Sequence, residues 1–325
     1  MSRAVALRLG AFAGALALAF GVAFAIGSAV EPVAAADPAK PEPMADMGGE
    51  THGAAHAEGG QLPGLAVSDA GYTFAPESTF FTAGAKTQLR FTIKGPDGKP
   101  VTGYTPTHEK DLHLIVVRRD LSGFHHVHPT RDARGTWSIP FTFTAGGTWR
   151  LYADFQPAGF DRTLTLGTDV NVSGLYIPVP LNDPASSYSV HAYDVTLAGN
   201  PVAGKESELT FKVSSGGKPV TDLQPYLGAF GHLVSLREGD LAYLHNHPAQ
   251  HAEAGMKGGP EITFATTFPT AGTYRLFLDF QHAGAVHTAE FTVQVGGDGT
   301  PIVPPTAMPS AEQTPHGHGE ETPHS

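Results

Sequence analysis

His113-Leu-Ile-Val-Val-Arg-Arg-Asp-Leu-Ser-Gly-Phe-His-His-Val-His-Pro129 has the pattern of a strand, a turn and a returning strand. Leu114–Val117 are aliphatic and mostly β-branched, Ser122-Gly123 is a turn former, and Pro129 ends a ladder because it has no N–H to donate. The same plan recurs at His232-Leu-Val-Ser-Leu-Arg-Glu-Gly-Asp-Leu-Ala-Tyr-Leu-His-Asn-His-Pro248. In both copies the first His precedes the last by fifteen residues, and the run ends in His-X-His-Pro. The hairpin interiors have drifted, Val-Val-Arg-Arg against Ser-Leu-Arg-Glu-Gly, while the three imidazoles stay in register.

The repeat extends well beyond the hairpin. Leu89-Arg-Phe-Thr-Ile matches Leu209-Thr-Phe-Lys-Val, and Gly98-Lys-Pro-Val-Thr matches Gly217-Lys-Pro-Val-Thr. Thr144-Ala-Gly-Gly-Thr-Trp-Arg-Leu-Tyr-Ala-Asp-Phe-Gln matches Thr270-Ala-Gly-Thr-Tyr-Arg-Leu-Phe-Leu-Asp-Phe-Gln. Two modules result, over 66–172 and 188–297, joined by a proline-containing linker at 173–187. Apolar and β-branched runs at Gln88–Ile93, His113–Val117, Thr136–Phe143, Trp149–Phe155 and Thr163–Val172 are separated by Gly- and Pro-rich turns. Roughly seven short strands per hundred residues predict an all-β chain of two tandem Ig-like, or cupredoxin-like, β-sandwiches.

The ends differ in kind from the modules. Arg3 and Arg8 precede an apolar run from Leu9 to Val30, and Ala34-Ala-Ala36 offers a small-residue cleavage site. Residues 1–36 therefore read as an export signal or an uncleaved membrane-anchor helix, with everything after them outside the cytoplasm. Residues 37–65 read as a flexible tether with Met44, Met47, His52 and His56. Residues 298–325 read as a disordered tail with His316, His318 and His324. The chain has 325 residues, 41% of them hydrophobic, which is enough for two cores. A net charge of −11 without a Lys/Arg stripe argues against nucleic-acid binding. The absence of Cys removes disulfides, a lipid-modified cysteine and the thiolate of a blue-copper site.

The strand geometry leads to chemistry. His113 shares a strand face with Ile115 and Val117. His126 and His128, two apart, share a face of the returning strand. A tight hairpin is expected to set residue 128 opposite 114 and diagonal to 113, so three imidazoles converge near its open end. His232, His245 and His247 repeat the arrangement. Asp154 and Asp279 stand at matching places in apolar strands, where a carboxylate needs a partner. Each is a candidate to ligate a metal or to hold an imidazole N–H. The plainer readings are half-exposed histidines at a strand end, and Asp154 or Asp279 paired with Arg150 or Arg275. His108 and His125 align with Leu227 and Leu244, so neither is expected to be a shared ligand. His191, His251, His282 and His287 have no counterparts and read as surface histidines.

His108-Glu-Lys-Asp-Leu-His113-Leu-Ile-Val-Val with Phe124-His-His-Val-His-Pro129 resembles a family of bacterial exported, heavy-metal-associated proteins linked with copper handling. Tyr226-Leu-Gly-Ala-Phe-Gly-His232 with Leu244-His-Asn-His-Pro248 resembles that family's second module. Similar hairpins occur in some metal-efflux adaptors. The resemblance covers about residues 72–295 and implies metal binding, with other envelope metal-handling proteins as partners. Imidazole with carboxylate suits Zn(II), Cu(II) or Ni(II), and raw affinity puts Cu(II) first. The Met- and His-containing tether and the resemblance to copper-linked proteins favour copper, so copper is the expected metal and zinc the alternative. The expected function is metal buffering, resistance or delivery outside the cytoplasm rather than catalysis. The alternatives are a structural or adhesive Ig-like surface protein, and a metal-dependent hydrolase or oxidase.

Overall fold

The structure, a computed structural model, describes residues 62–297. The expected signal or anchor, most of the tether and the C-terminal tail lie outside the described residues. No helix among the described residues is long and apolar enough to cross a membrane. The regular structure described is all β.

Module 1 contains β1 (Ser68–Asp69), β2 (Tyr72–Pro76), β3 (Phe80–Thr82), β4 (Thr87–Lys94), β5 (Tyr104–Thr105), β6 (Leu112–Arg118), β7 (His125–Val127), β8 (Thr130–Arg131), β9 (Thr136–Phe141), β10 (Gly147–Pro157) and β11 (Leu164–Ser173). One sheet runs β1-β2-β4-β9-β8, the other β3-β11-β10-β6-β7. In immunoglobulin lettering these are A-B-E-D and G-F-C-C′, with β3 added parallel to β11. Of the two expected topologies, the order is the immunoglobulin one.

Module 2 contains β12 (Ser187–Val190), β13 (Tyr193–Ala198), β14 (Glu206–Ser215), β15 (Lys218–Pro219), β16 (Gly231–Arg237), β17 (Tyr243–Pro248), β18 (Glu261–Thr267), β19 (Gly272–His282) and β20 (Ala285–Val295). Here β17 pairs with β16 and, through His247 and Pro248, with β18, so both sheets join in one path. In module 1 the same crossing is split between β7 and β8. The His-X-His-Pro run is thus the corner at which the chain passes from one sheet to the other.

The apolar run in β6 serves two cores. Leu112, Leu114 and Val116 pack into the module 1 core with Phe91, Trp149 and Leu166. Ile115 and Val117, on the face that carries His113, pack with Val234, Leu236 and Phe277 of module 2. Strand β16 does the same: Leu233 enters its own module's core and Val234 faces module 1. Phe124 stacks on Phe277 at 3.9 Å, and Tyr152 lies against Tyr243 at 5.4 Å. Phe124 and Tyr243 are equivalent in the repeat, as are Tyr152 and Phe277, so the two aromatic contacts are related by the duplication.

Two expectations are corrected. The hairpin pairs Leu114 with Val127 and Ile115 with His126, a register that sets 128 against 113 and not 114. A one-residue slip exchanges the faces of a strand, so this register is what puts all three imidazoles on the side facing module 2. The tether also ends earlier than residue 65. Tyr243 N–H donates to the Pro63 carbonyl, Gly64 N–H donates to Thr165, and the Arg150 guanidinium donates to the carbonyls of Gly64 and Leu65. At Gly64, with φ 74°, a Cβ would stand 2.7 Å from the Tyr152 ring and 2.8 Å from Tyr243 Cβ, so only glycine fits the seam there.

Candidate metal centre

A tight turn precedes each first histidine. Thr107 and Lys110 exchange both backbone hydrogen bonds, as do Tyr226 and Ala229. The central residues have positive φ: 48° and 63° at His108 and Glu109, 54° and 79° at Leu227 and Gly228. Each turn sends a carbonyl to the histidine six residues on. His113 Nε2 lies 2.8 Å from Thr107 O, and His232 Nε2 lies 2.7 Å from Tyr226 O. A carbonyl only accepts, so both Nε2 atoms carry the proton. His113 Nδ1, the nitrogen on the other side of the ring, lies 3.0 Å from His126 Nε2 and 3.1 Å from His128 Nε2.

His126 is fixed from the other module. Its Nδ1 donates to Asp279 Oδ2 at 2.9 Å, and both side chains are 5% exposed. That bond places the His126 proton on Nδ1 and leaves Nε2 facing the triad. Burial, reinforced by His126, His113, Lys110 and His232, pushes His128 down to about 2, so it is neutral at ordinary pH. The three imidazoles turn nitrogens toward one another, and the outward nitrogens of His113 and His126 are already engaged by Thr107 O and Asp279 Oδ2. Their ligand atoms all lie within 4.8 Å of one another. Nitrogens bound at about 2.0–2.1 Å to one ion stand roughly 3 Å apart. The three nitrogens therefore lie close enough to hold one ion.

Asp279 accepts the Thr288 hydroxyl through its second oxygen at 2.6 Å. The counterpart Asp154 accepts Thr165 at 3.0 Å and shares a hydrogen bond with Tyr243. Burial and then the Asp154 charge push the Tyr243 hydroxyl far up. Asp154 lies opposite His113 across the β10–β6 ladder, and Asp279 opposite His232 across β19–β16. Neither carboxylate takes the arginine four residues earlier. Arg150 pairs with Asp169, and Arg275 with Glu290 and Thr292.

The structure thus gathers His113, His126 and His128, adds Asp279 from module 2, and brings His232 to 6.2 Å, ring to ring, from His126. The repeat predicts a site in each module separately; the imidazole cluster instead lies on the inter-module face. His245 and His247 have their backbone in β17, and their side chains lie outside the described part of the structure. His125 lies edge-on to Phe141, away from the triad. His108, set aside for lack of a counterpart, stands 5.3 Å from His232 and 6.1 Å from His113, ring to ring. Its position in the short segment entering β6 was the available cue.

One family model, a domain of unknown function (DUF8832), matches residues 66–172 and 188–297, which are the two modules. The chain belongs to this family. No curated protein matches. Similar solved structures include the adhesin FdeC of Escherichia coli, at 18% identity and TM-score 0.23, covering 71% of this chain and 66% of that one. InvD of Yersinia pseudotuberculosis is similar at 14% identity and TM-score 0.23, covering 76% of this chain and 62% of that one. The chain spans less than two thirds of the length of either.

Proposed function

We propose that this is an extracytoplasmic metal-binding protein that holds copper, with zinc as the alternative, for buffering, resistance or delivery. The observation that carries the reading is the hydrogen-bond arrangement at the triad. Thr107 O and Asp279 Oδ2 take the outward N–H groups of His113 and His126, so His113 Nδ1, His126 Nε2 and His128 Nε2 face one point. A carboxylate or carbonyl behind a ligating imidazole, as at His113 and His126, is the support that orients metal-binding histidines and raises their basicity. The donor set contains no thiolate or thioether, which favours Cu(II) or Zn(II) over Cu(I). The repeat gives His232, His245 and His247 the same role in module 2. Export rests on the N-terminal segment, and envelope metal-handling proteins are the expected partners.

The test is titration of the full chain with Cu(II) and Zn(II) by calorimetry, with the Cu(II) form examined by electron paramagnetic resonance. Sub-micromolar binding with nitrogen hyperfine structure, lost on joint His126→Ala and His128→Ala substitution, is expected. Binding no tighter than micromolar, or binding indifferent to that double substitution, would overturn the reading.

A further inference from the structure

The support of the triad crosses between modules. His126 is on β7 of module 1 and Asp279 on β19 of module 2, yet their bond sets which nitrogen His126 offers to the triad. If the modules separate, Asp279 leaves and His126 is free to rotate or change tautomer. The same face carries the Phe124–Phe277 stack, the Tyr152–Tyr243 contact and the Tyr152 hydroxyl donating to Leu241 O at 2.7 Å. This apolar seam docks the modules without any ion, and the Asp279–His126 bond connects it to the triad.

We propose that metal binding at His113, His126 and His128 and docking of the two modules are one linked equilibrium, with Asp279 as the positioning residue that couples them. The proposal rests on the metal reading above. Linkage is reciprocal. If docking strengthens metal binding, the ion strengthens docking by the same factor, and whatever prises the modules apart lowers the affinity for the ion. The fold would then provide a route to metal release that needs no competing ligand. A partner that engages the inter-module face would open the seam, withdraw Asp279 and loosen the triad.

The chain has no cysteine, so two can be introduced and labelled specifically. Lys86→Cys and Lys218→Cys lie at exposed positions, one in each module. Single-molecule energy transfer between dyes at these sites reads docking in the full chain, and Zn(II) serves as the silent probe ion. Phe277→Ala, which removes the stack, is expected to broaden the inter-dye distribution and to weaken Zn(II) binding. Added Zn(II) should narrow that distribution back toward the parent's. Asp279→Asn should keep the Zn(II)-free distribution close to the parent's but weaken Zn(II) roughly 10- to 100-fold. It should also shift the ¹⁵N resonances of the His126 ring, which report its tautomer and which a merely structural carboxylate would leave in place. Parental Zn(II) affinity in both variants, or a Phe277→Ala distribution that ignores Zn(II), would overturn the linkage while leaving the metal reading intact. Failure of the parent chain itself to bind Zn(II) or Cu(II) would instead overturn the metal reading.

Discussion

The two hairpins share a backbone plan and differ in what they point inward. In module 1 the residue between the last two histidines is Val127, packed against the module core. In module 2 it is Asn246, 2% exposed, whose amide donates to the carbonyl of Leu233 and to the Ser235 hydroxyl and accepts from Thr266. Ser235 replaces Val116 at the equivalent place in the strand. One hairpin is therefore held to its module by apolar burial and the other by a closed polar network. Both solutions keep first histidine and last fifteen residues apart, and both send the first histidine's Nε2 to a turn carbonyl. A spacing that survives a change of inward packing is not a by-product of that packing. The constraint acts on the side that carries the imidazoles.

The largest expected effect breaks the hairpins on that outward side. Joint His126→Ala and His128→Ala substitution leaves His113 as one ligand of three. It should weaken metal binding at this centre at least 100-fold by calorimetry, well beyond the loss expected for Asp279→Asn. His245→Ala with His247→Ala asks the same of module 2. A second equivalent of metal removed by that pair would make the two hairpins functional equals. An unchanged stoichiometry would confine the role to module 1.

The inward side gives the next effect. Asn246→Ala strands the buried Ser235 and Thr266 hydroxyls and should cost about 3 kcal/mol in denaturant unfolding. Val127→Ala, at a half-buried apolar position, should cost only about 1 kcal/mol. Replacing Asn246, Ser235 and Thr266 together by Val should recover much of the Asn246→Ala loss, because no polar group is then left unpaired. Equal costs for the two single substitutions would erase the distinction. A smaller effect belongs to the seam: Tyr152→Phe removes the hydrogen bond to Leu241 O and should cost about 1 kcal/mol.

Much of this was legible in the sequence because it depends on period and repetition. The apolar, β-branched run Leu114–Val117 and the duplicated Asp-Phe-Gln strands mark the sandwich, and the two-residue period of a strand puts His113, Ile115 and Val117 on one face. The hairpin register was misread by one residue because the loop turns through two left-handed residues, Leu121 at φ 65° and Gly123 at φ 66°. Only the glycine announces itself; a leucine in that conformation has no sequence mark. The sharing of the site between modules was also hidden. Nothing in a strand's periodicity says which module will cover the face that carries Ile115 and Val117. The partner of Asp279 lies 153 residues away, beyond any local pattern. His108 was set aside by comparing the copies, a procedure that finds what the copies share and is blind to what one has alone.

The hairpin tips extend the comparison to the smallest effect. Each is closed by an arginine and an aspartate. Arg118 grips Asp120, which also accepts from Ser122 and from Val179 N–H in the linker; Arg237 grips Asp240, which accepts from Ala242. Burial alone would raise the Asp120 carboxyl, but Arg118 and the N–H groups of Val179 and Ser122 overcome it and hold Asp120 down to about 2, against an ordinary 3.8. The bond from Arg237 likewise lowers Asp240. A carboxyl depressed in the folded state stabilises it fully above the unfolded value, and that stability drains away as pH falls through the folded one. Both tips should therefore contribute near neutrality; Asp120 loses its contribution between about pH 4 and pH 2, and Asp240 loses its own as pH falls below the ordinary carboxylate value. Solvent screening keeps each contribution modest. Melting temperatures from pH 5 to pH 2 should fall less steeply in Asp120→Asn than in the parent chain. The flattening should be weaker in Asp240→Asn, which has no linker contact to lose. Equal slopes in both variants would mean that the linker bond to Val179 adds nothing to the first tip.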